Sequence, residues 1–229
     1  MTDQEQYDHF RFQGARILLR PLRFTAVPQD AAARNALLEP AIRALWDVSG
    51  RGGRSLYEVA AQLRAAADLA ESGQDIDLKE IPGQPEVLRE IAEHVAAWSV
   101  GVAGRLDGAL PTSDELAFRF PLLTDMLLVH YGQDGLAWED DTLSPREGLL
   151  AVVDDYHPTC LWWLPHLAAE CQEALGVFQT EEALRQFFKT EQRGGTPGLP
   201  WLEWLPLIID VFGEHMRAHH PPRWVHRTH

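Results

Sequence analysis

Apolar residues recur along most of this chain at spacings of three and four, the mark of helices with one buried face. Val87, Ile91, Val95, Trp98 and Val102 follow one another at four, four, three and four, and Pro85 suits the first position of a helix over 85–105. Ser55-Leu56-Tyr57-Glu58 has the form of a capping box. It opens a helix with Leu56, Val59, Leu63 and Ala67 on one face, stopping near Ser72-Gly73. Thr112–Glu115 repeats the box ahead of Leu116, Phe120, Leu123 and Leu127, and Ser144-Pro145-Arg146-Glu147 adds proline at the first helical position. Thr180 caps 181–192, with Glu181 and Glu182 where the helix dipole favours acids. Residues 29–47 carry Leu37, Leu38, Ile42, Leu45 and Trp46; Pro40 is expected to kink or divide them, and the Gly50–Gly53 run ends them. A helical stretch around 158–175 should bend at Pro165. The last helix, roughly 200–220, is apolar nearly all round, from Trp201 to Phe212. Such a helix is central to a core or half of an oligomer interface.

The N-terminal segment reads differently. Phe10 to Val27 is rich in β-formers, holds a Gln13-Gly14 turn signal and carries Pro21, so a short hairpin or extended arm is expected. Together these patterns predict an all-α fold: a compact orthogonal bundle of about seven to nine helices after a short β-like or extended N-terminal segment. One domain over 1–229 is expected, with 1–28 as the arm and 221–229 as an irregular tail. The acidic loop 73–84 is the place to divide it if there are two.

Charge changes the functional picture more than the structural one. A net charge of −14 repels phosphate backbones, so general nucleic-acid binding is disfavoured. The segment 10–27, with Arg11, Arg16, Arg20 and Arg23, is the one stretch suited to it. Residues 1–64 hold nine arginines against seven acids, a charge of +2, which leaves −16 on the remainder. Two cysteines, Cys160 and Cys171, exclude a disulfide framework. On one helix they would stand about 16 Å apart, too far to bridge. The start MTDQEQYDHF lacks the features of a signal peptide, and Glu203, Pro206 and Asp210 interrupt the most apolar run, so the expectation is no membrane and a cytoplasmic compartment.

Four segments offer chemistry. His215 and His219, four apart, project from one helix face and would share a metal if a third ligand came from elsewhere. Glu90 and His94 also share a face, near Glu93, with Glu170 and Glu173 as a further carboxylate pair. Asp154-Asp155-Tyr156-His157-Pro158-Thr159-Cys160, followed by Trp162, Trp163 and His166, puts acids, an imidazole and a thiol beside aromatics. That composition suits a nucleophile, although a helix junction packed with core residues explains it more simply. Glu139-Asp140-Asp141 lacks the pattern of a calcium loop and reads as solvated surface. The chain carries no G-x-S-x-G, H-E-x-x-H, C-x-x-C, P-loop or dinucleotide fingerprint. A helix-turn-helix starting at Ser55 fails because the helix runs on and the next segment is acidic.

The expected function is therefore a non-enzymatic helical protein-protein interaction module. One concrete form is an acidic inhibitor or immunity-type protein that masks a basic partner, with Trp201, Trp204 and Trp224 as the contact residues. Self-association is the other form of partnership. The alternative is a metal-dependent helical enzyme with a divalent ion on His215, His219, Glu90 or His94.

Overall fold

A computed structural model describes residues 11–24, 27–73, 84–132 and 143–224. Among the described residues all regular structure is helical, in eleven α-helices. The all-α expectation holds, and the helix count exceeds the seven to nine expected. By its internal contacts the chain forms two compact units, 1–119 and 120–229. The loop 73–84 does not divide them, because the helices on either side of it pack on each other within the first unit.

The first unit holds α1 (Gln13–Leu19), a 3₁₀ turn (Arg20–Phe24), α2 (Ala31–Ser49), α3 (Leu56–Glu71), α4 (Pro85–Ala97), α5 (Val102–Leu106) and α6 (Ser113–Arg119). α3 packs along α4, α2 along α6, and α1 against α2 and α3. The expected β-like segment is thus corrected: residues 13–24 are helical. Phe12, Ala15, Leu18, Leu19 and Leu22 are all buried, so the apolar positions follow a helical period that the β-forming composition obscured. Gly14 is no turn. A Cβ there would stand 2.8 Å from a Val59 methyl, so glycine allows α1 to lie close on α3, where the Ala15 amide donates to Gln62 Oε1 at 3.0 Å.

Local signals elsewhere are realised. Ser55 with Glu58 and Ser144 with Glu147 form complete capping boxes, and Thr112 with Glu115 makes the same two bonds. Pro40 does not divide α2, which runs through it between buried Leu38 and Ala41; packing on both sides outweighs one missing backbone bond. The helix expected over 85–105 ends at Ala97, and Gly101, at φ 76°, restarts the chain into α5.

The second unit comprises α7 (Pro121–Tyr131), α8 (Pro145–Tyr156), α9 (Cys160–Phe178), α10 (Glu181–Leu184, continuing as a π-helical stretch over Arg185–Glu191) and α11 (Trp201–His219). α9 and α11 are its central pair, flanked by α7, α8 and α10. Phe120, Phe178, Phe187, Phe188 and Trp201 form a chain of ring contacts with centroids 4.8–6.1 Å apart. Of the two places its apolarity allowed, α11 contributes to the core: Trp201, Trp204, Leu205, Ile208, Val211 and Phe212 are buried. No described helix is long and apolar enough to cross a membrane.

Candidate metal centre

Most of the polar residues singled out above are committed to holding helices together. Arg34 is buried and pairs with Glu90, and Glu93 accepts from Arg64 at 2.9 Å. His94 is on the same helix, its Nε2 buried without a hydrogen-bond partner. Burial first, then the Arg105 charge, holds His94 below the usual histidine range, against the pull of Glu39. Glu90 is engaged by Arg34, and neither Glu90 nor His94 belongs to the cluster of ligand atoms found among the described residues. Glu170 caps α7, accepting from the Leu123 amide at 2.7 Å and the Leu122 amide at 3.4 Å. The acidic run Glu139–Asp141, together with His226 and His229, lies outside the described residues.

The second unit gathers what the sequence keeps apart. α8 ends at Tyr156, and Thr159 closes the junction by donating through Oγ1 to the Tyr156 carbonyl at 2.7 Å. Cys160 is then the first residue of α9, buried, with its Sγ 3.8 Å from His157 Nδ1. α11 stops with its C-cap at His220, whose amide donates to the Met216 carbonyl at 2.9 Å. The ligand atoms of His157, Cys160 and His220 lie within 4.8 Å of one another. A tetrahedral zinc-type ion needs such atoms about 3.5 Å apart, so the His157–Cys160 pair is close to that spacing and His220 must move inward slightly. Arg146 pairs with Glu214 and so ties the start of α8 to the end of α11.

His215 and His219 border this cluster without being part of it. Their ring centroids are 4.8 Å apart on one face of α11, as their spacing predicted, and the His215 ring is 5.1 Å from that of His220. The Nε2 atoms of His215 and His220 are buried without hydrogen-bond partners. Burial, then the neighbouring His219, His220 and His157, holds His215 below the ordinary histidine value, with Asp154 opposing. Two adjoining imidazoles with buried nitrogens and no partners are unusual, since such groups normally find a hydrogen bond or an ion. A thiol with several imidazoles is a donor set for a borderline divalent ion such as Zn²⁺, Co²⁺ or Ni²⁺, and a poor one for Mg²⁺ or Ca²⁺.

The proposed contact tryptophans divide. Trp201 and Trp204 are 2% and 0% exposed and belong to the core, whereas Trp224 is 69% exposed. Trp162, just beyond Cys160, is 71% exposed. Of the arginines in the N-terminal segment, Arg11, Arg20 and Arg23 are exposed and Arg16 is half-buried. Comparison with family models, with characterised proteins and with solved structures gives no match.

Sequence reading saw His157 and Cys160 as one candidate and His215 and His219 as another. It missed that they adjoin, with His220 as the link. The legible part was the closeness of His157 and Cys160 in sequence, at the junction between α8 and α9.

Proposed function

We propose that this chain is a metal-binding helical protein whose function runs through a divalent transition-metal ion held by His157, Cys160 and His220. Convergence carries the reading: a thiol and two imidazole donors lie within 4.8 Å, two from the α8–α9 junction and one from the end of α11. A bound ion fastens the last turn of α11 to that junction. It also satisfies the buried His220 nitrogen and holds Cys160 as thiolate. This keeps the metal of the alternative sequence reading and replaces its ligands: Glu90 and His94 drop out, and His215 and His219 become neighbours of the ion.

The test is a Co²⁺ titration of protein purified without a tag. The expected result is a sulfur-to-cobalt absorption band saturating at about one equivalent and lost in Cys160→Ser. Less than about one-tenth of an equivalent of bound Co²⁺ or Zn²⁺ overturns the reading.

Protein interaction stands as a second reading on one observation. Leu161 and Trp162 are 51% and 71% exposed in the turn that carries Cys160, and Trp224 is exposed beyond His220. The ion therefore fixes the backbone on which these side chains are presented. In its self-associating form this predicts a concentration-dependent mass in sedimentation that falls in Trp162→Ala. A monomer at every concentration, with and without metal, removes it.

A further inference from the structure

We infer that His215 is the fourth ligand, so that the centre closes as a Cys–His₃ site and excludes outside ligands instead of leaving a position open to water or substrate. The inference rests on the metal reading of His157, Cys160 and His220.

Ring geometry is the first argument. The centroids of His215 and His220 are 5.1 Å apart, with their planes at 53°. In a tetrahedral site the metal–nitrogen bond is about 2.1 Å and each ring centre lies roughly 1.1 Å behind its nitrogen, which places two centroids about 5.2 Å apart. The centroid separation is thus compatible with two imidazoles sharing one ion once the rings are turned toward it. His215 is outside the three-atom cluster, so binding must turn its ring inward.

Satisfaction of buried atoms is the second. His215 Nε2 and His220 Nε2 are both buried and have no hydrogen-bond partner. A buried nitrogen left this way has lost its hydrogen bond to water, and one ion accepting both lone pairs makes good both losses. His219 offers no such argument: it is exposed, and water reaches its ring. Its 4.8 Å spacing from His215 makes it the competitor to exclude.

Anchoring is the third. The Arg146–Glu214 pair holds the residue before His215 to α8, and His220 ends the same helix, so the two rings are carried by one restrained segment. A four-ligand site without an open position is the structural type, whereas catalytic sites keep one position free.

The experiment compares Co²⁺-loaded wild type with His215→Ala, His215→Gln and His219→Ala, and adds sodium azide as the outside ligand. In wild type the visible bands should not respond to azide. Both His215 variants should keep the sulfur–cobalt band and bind Co²⁺ roughly 10- to 100-fold more weakly, and His215→Ala should shift its bands with azide. His219→Ala should match wild type. An azide response in wild type, unchanged affinity in both His215 variants, or the loss appearing in His219→Ala overturns the inference while the sulfur–cobalt band preserves the metal reading. Absence of that band in wild type removes both. Helical circular dichroism of each variant separates ligand loss from unfolding.

Discussion

The two units use the same kinds of side chain to different ends. In the first, charged residues repeatedly meet opposite ones on another helix. Arg43 donates to Glu115 at 2.6 and 3.0 Å, Arg89 bridges Asp68 and Glu71, and the Trp98 indole donates to Glu39 at 2.9 Å. In the second, the Nε2 atoms of His215 and His220 are buried without hydrogen-bond partners where α11 ends. His94 sharpens the contrast, for it too has an unpartnered buried nitrogen. His94 has no second such imidazole beside it, whereas His215 and His220 adjoin, and that difference is what the metal proposal rests on. Convergence, and not residue type, separates structural polarity from chemistry.

The largest effect expected is on the architecture that brings the cluster together. A Cβ at Gly195 would stand 1.7 Å from the Tyr131 carbonyl oxygen, a backbone clash with no flexible atom to yield. Gly195→Ala should therefore destabilise the second unit by at least about 3 kcal/mol in urea unfolding, beyond the usual range for overpacking. Gly104 meets nothing within 4 Å, and Gly104→Ala should be neutral or stabilise by about 0.5–1 kcal/mol. Equal effects would show that the loop at Gly195 packs otherwise.

Next comes the metal itself. Cys160→Ser should weaken Zn²⁺ binding by roughly 100-fold or more in competition with a chromophoric chelator. Glu90→Gln and His94→Gln should leave it within about twofold, because their helix belongs to the ion-paired unit. Any larger loss in those two variants breaks the comparison.

A smaller effect attaches to the Arg43–Glu115 pair, which lies between cavities of about 250 and 220 Å³ that both include Glu115 in their walls. Burial pushes the Glu115 carboxyl up, but bonds from Arg43 and from the Thr112 amide and hydroxyl outweigh it and hold it below the ordinary carboxylate value. A depressed carboxylate contributes stability above its unfolded pKa and loses it as pH falls through the folded one. Wild type should thus lose more stability than Glu115→Gln on acidification below the ordinary carboxylate range. At neutral pH the variant should be weaker by about 1–3 kcal/mol. Parallel acid profiles would show that the pair contributes nothing.

The smallest expected effect is at His94. Its lowered pKa means that the unfolded chain binds the proton more readily, so stability rises with pH through the histidine range and falls on acidification toward the folded value. His94→Gln should flatten that slope slightly, as read by thermal midpoints across the range. An unchanged slope would assign it to other histidines.

Much of this was legible in the linear chain, and for a physical reason. Capping boxes at Ser55 and Ser144, the prolines that open helices and the stripe on α4 are interactions between residues three or four apart, and spacing alone specifies them. The helical character of residues 13–24 was encoded in the spacing of Phe12, Ala15, Leu18, Leu19 and Leu22, but β-forming composition and Gly14 masked it. Only packing against α3 shows why a glycine sits there. Tertiary structure alone decided that Glu90 and Glu170 serve as an ion-pair partner and a cap, that Trp201 and Trp204 are core, and that His220 meets His157 and Cys160. Those are contacts between residues tens of positions apart. They are set by how helices pack, and no periodicity within a single helix carries that information.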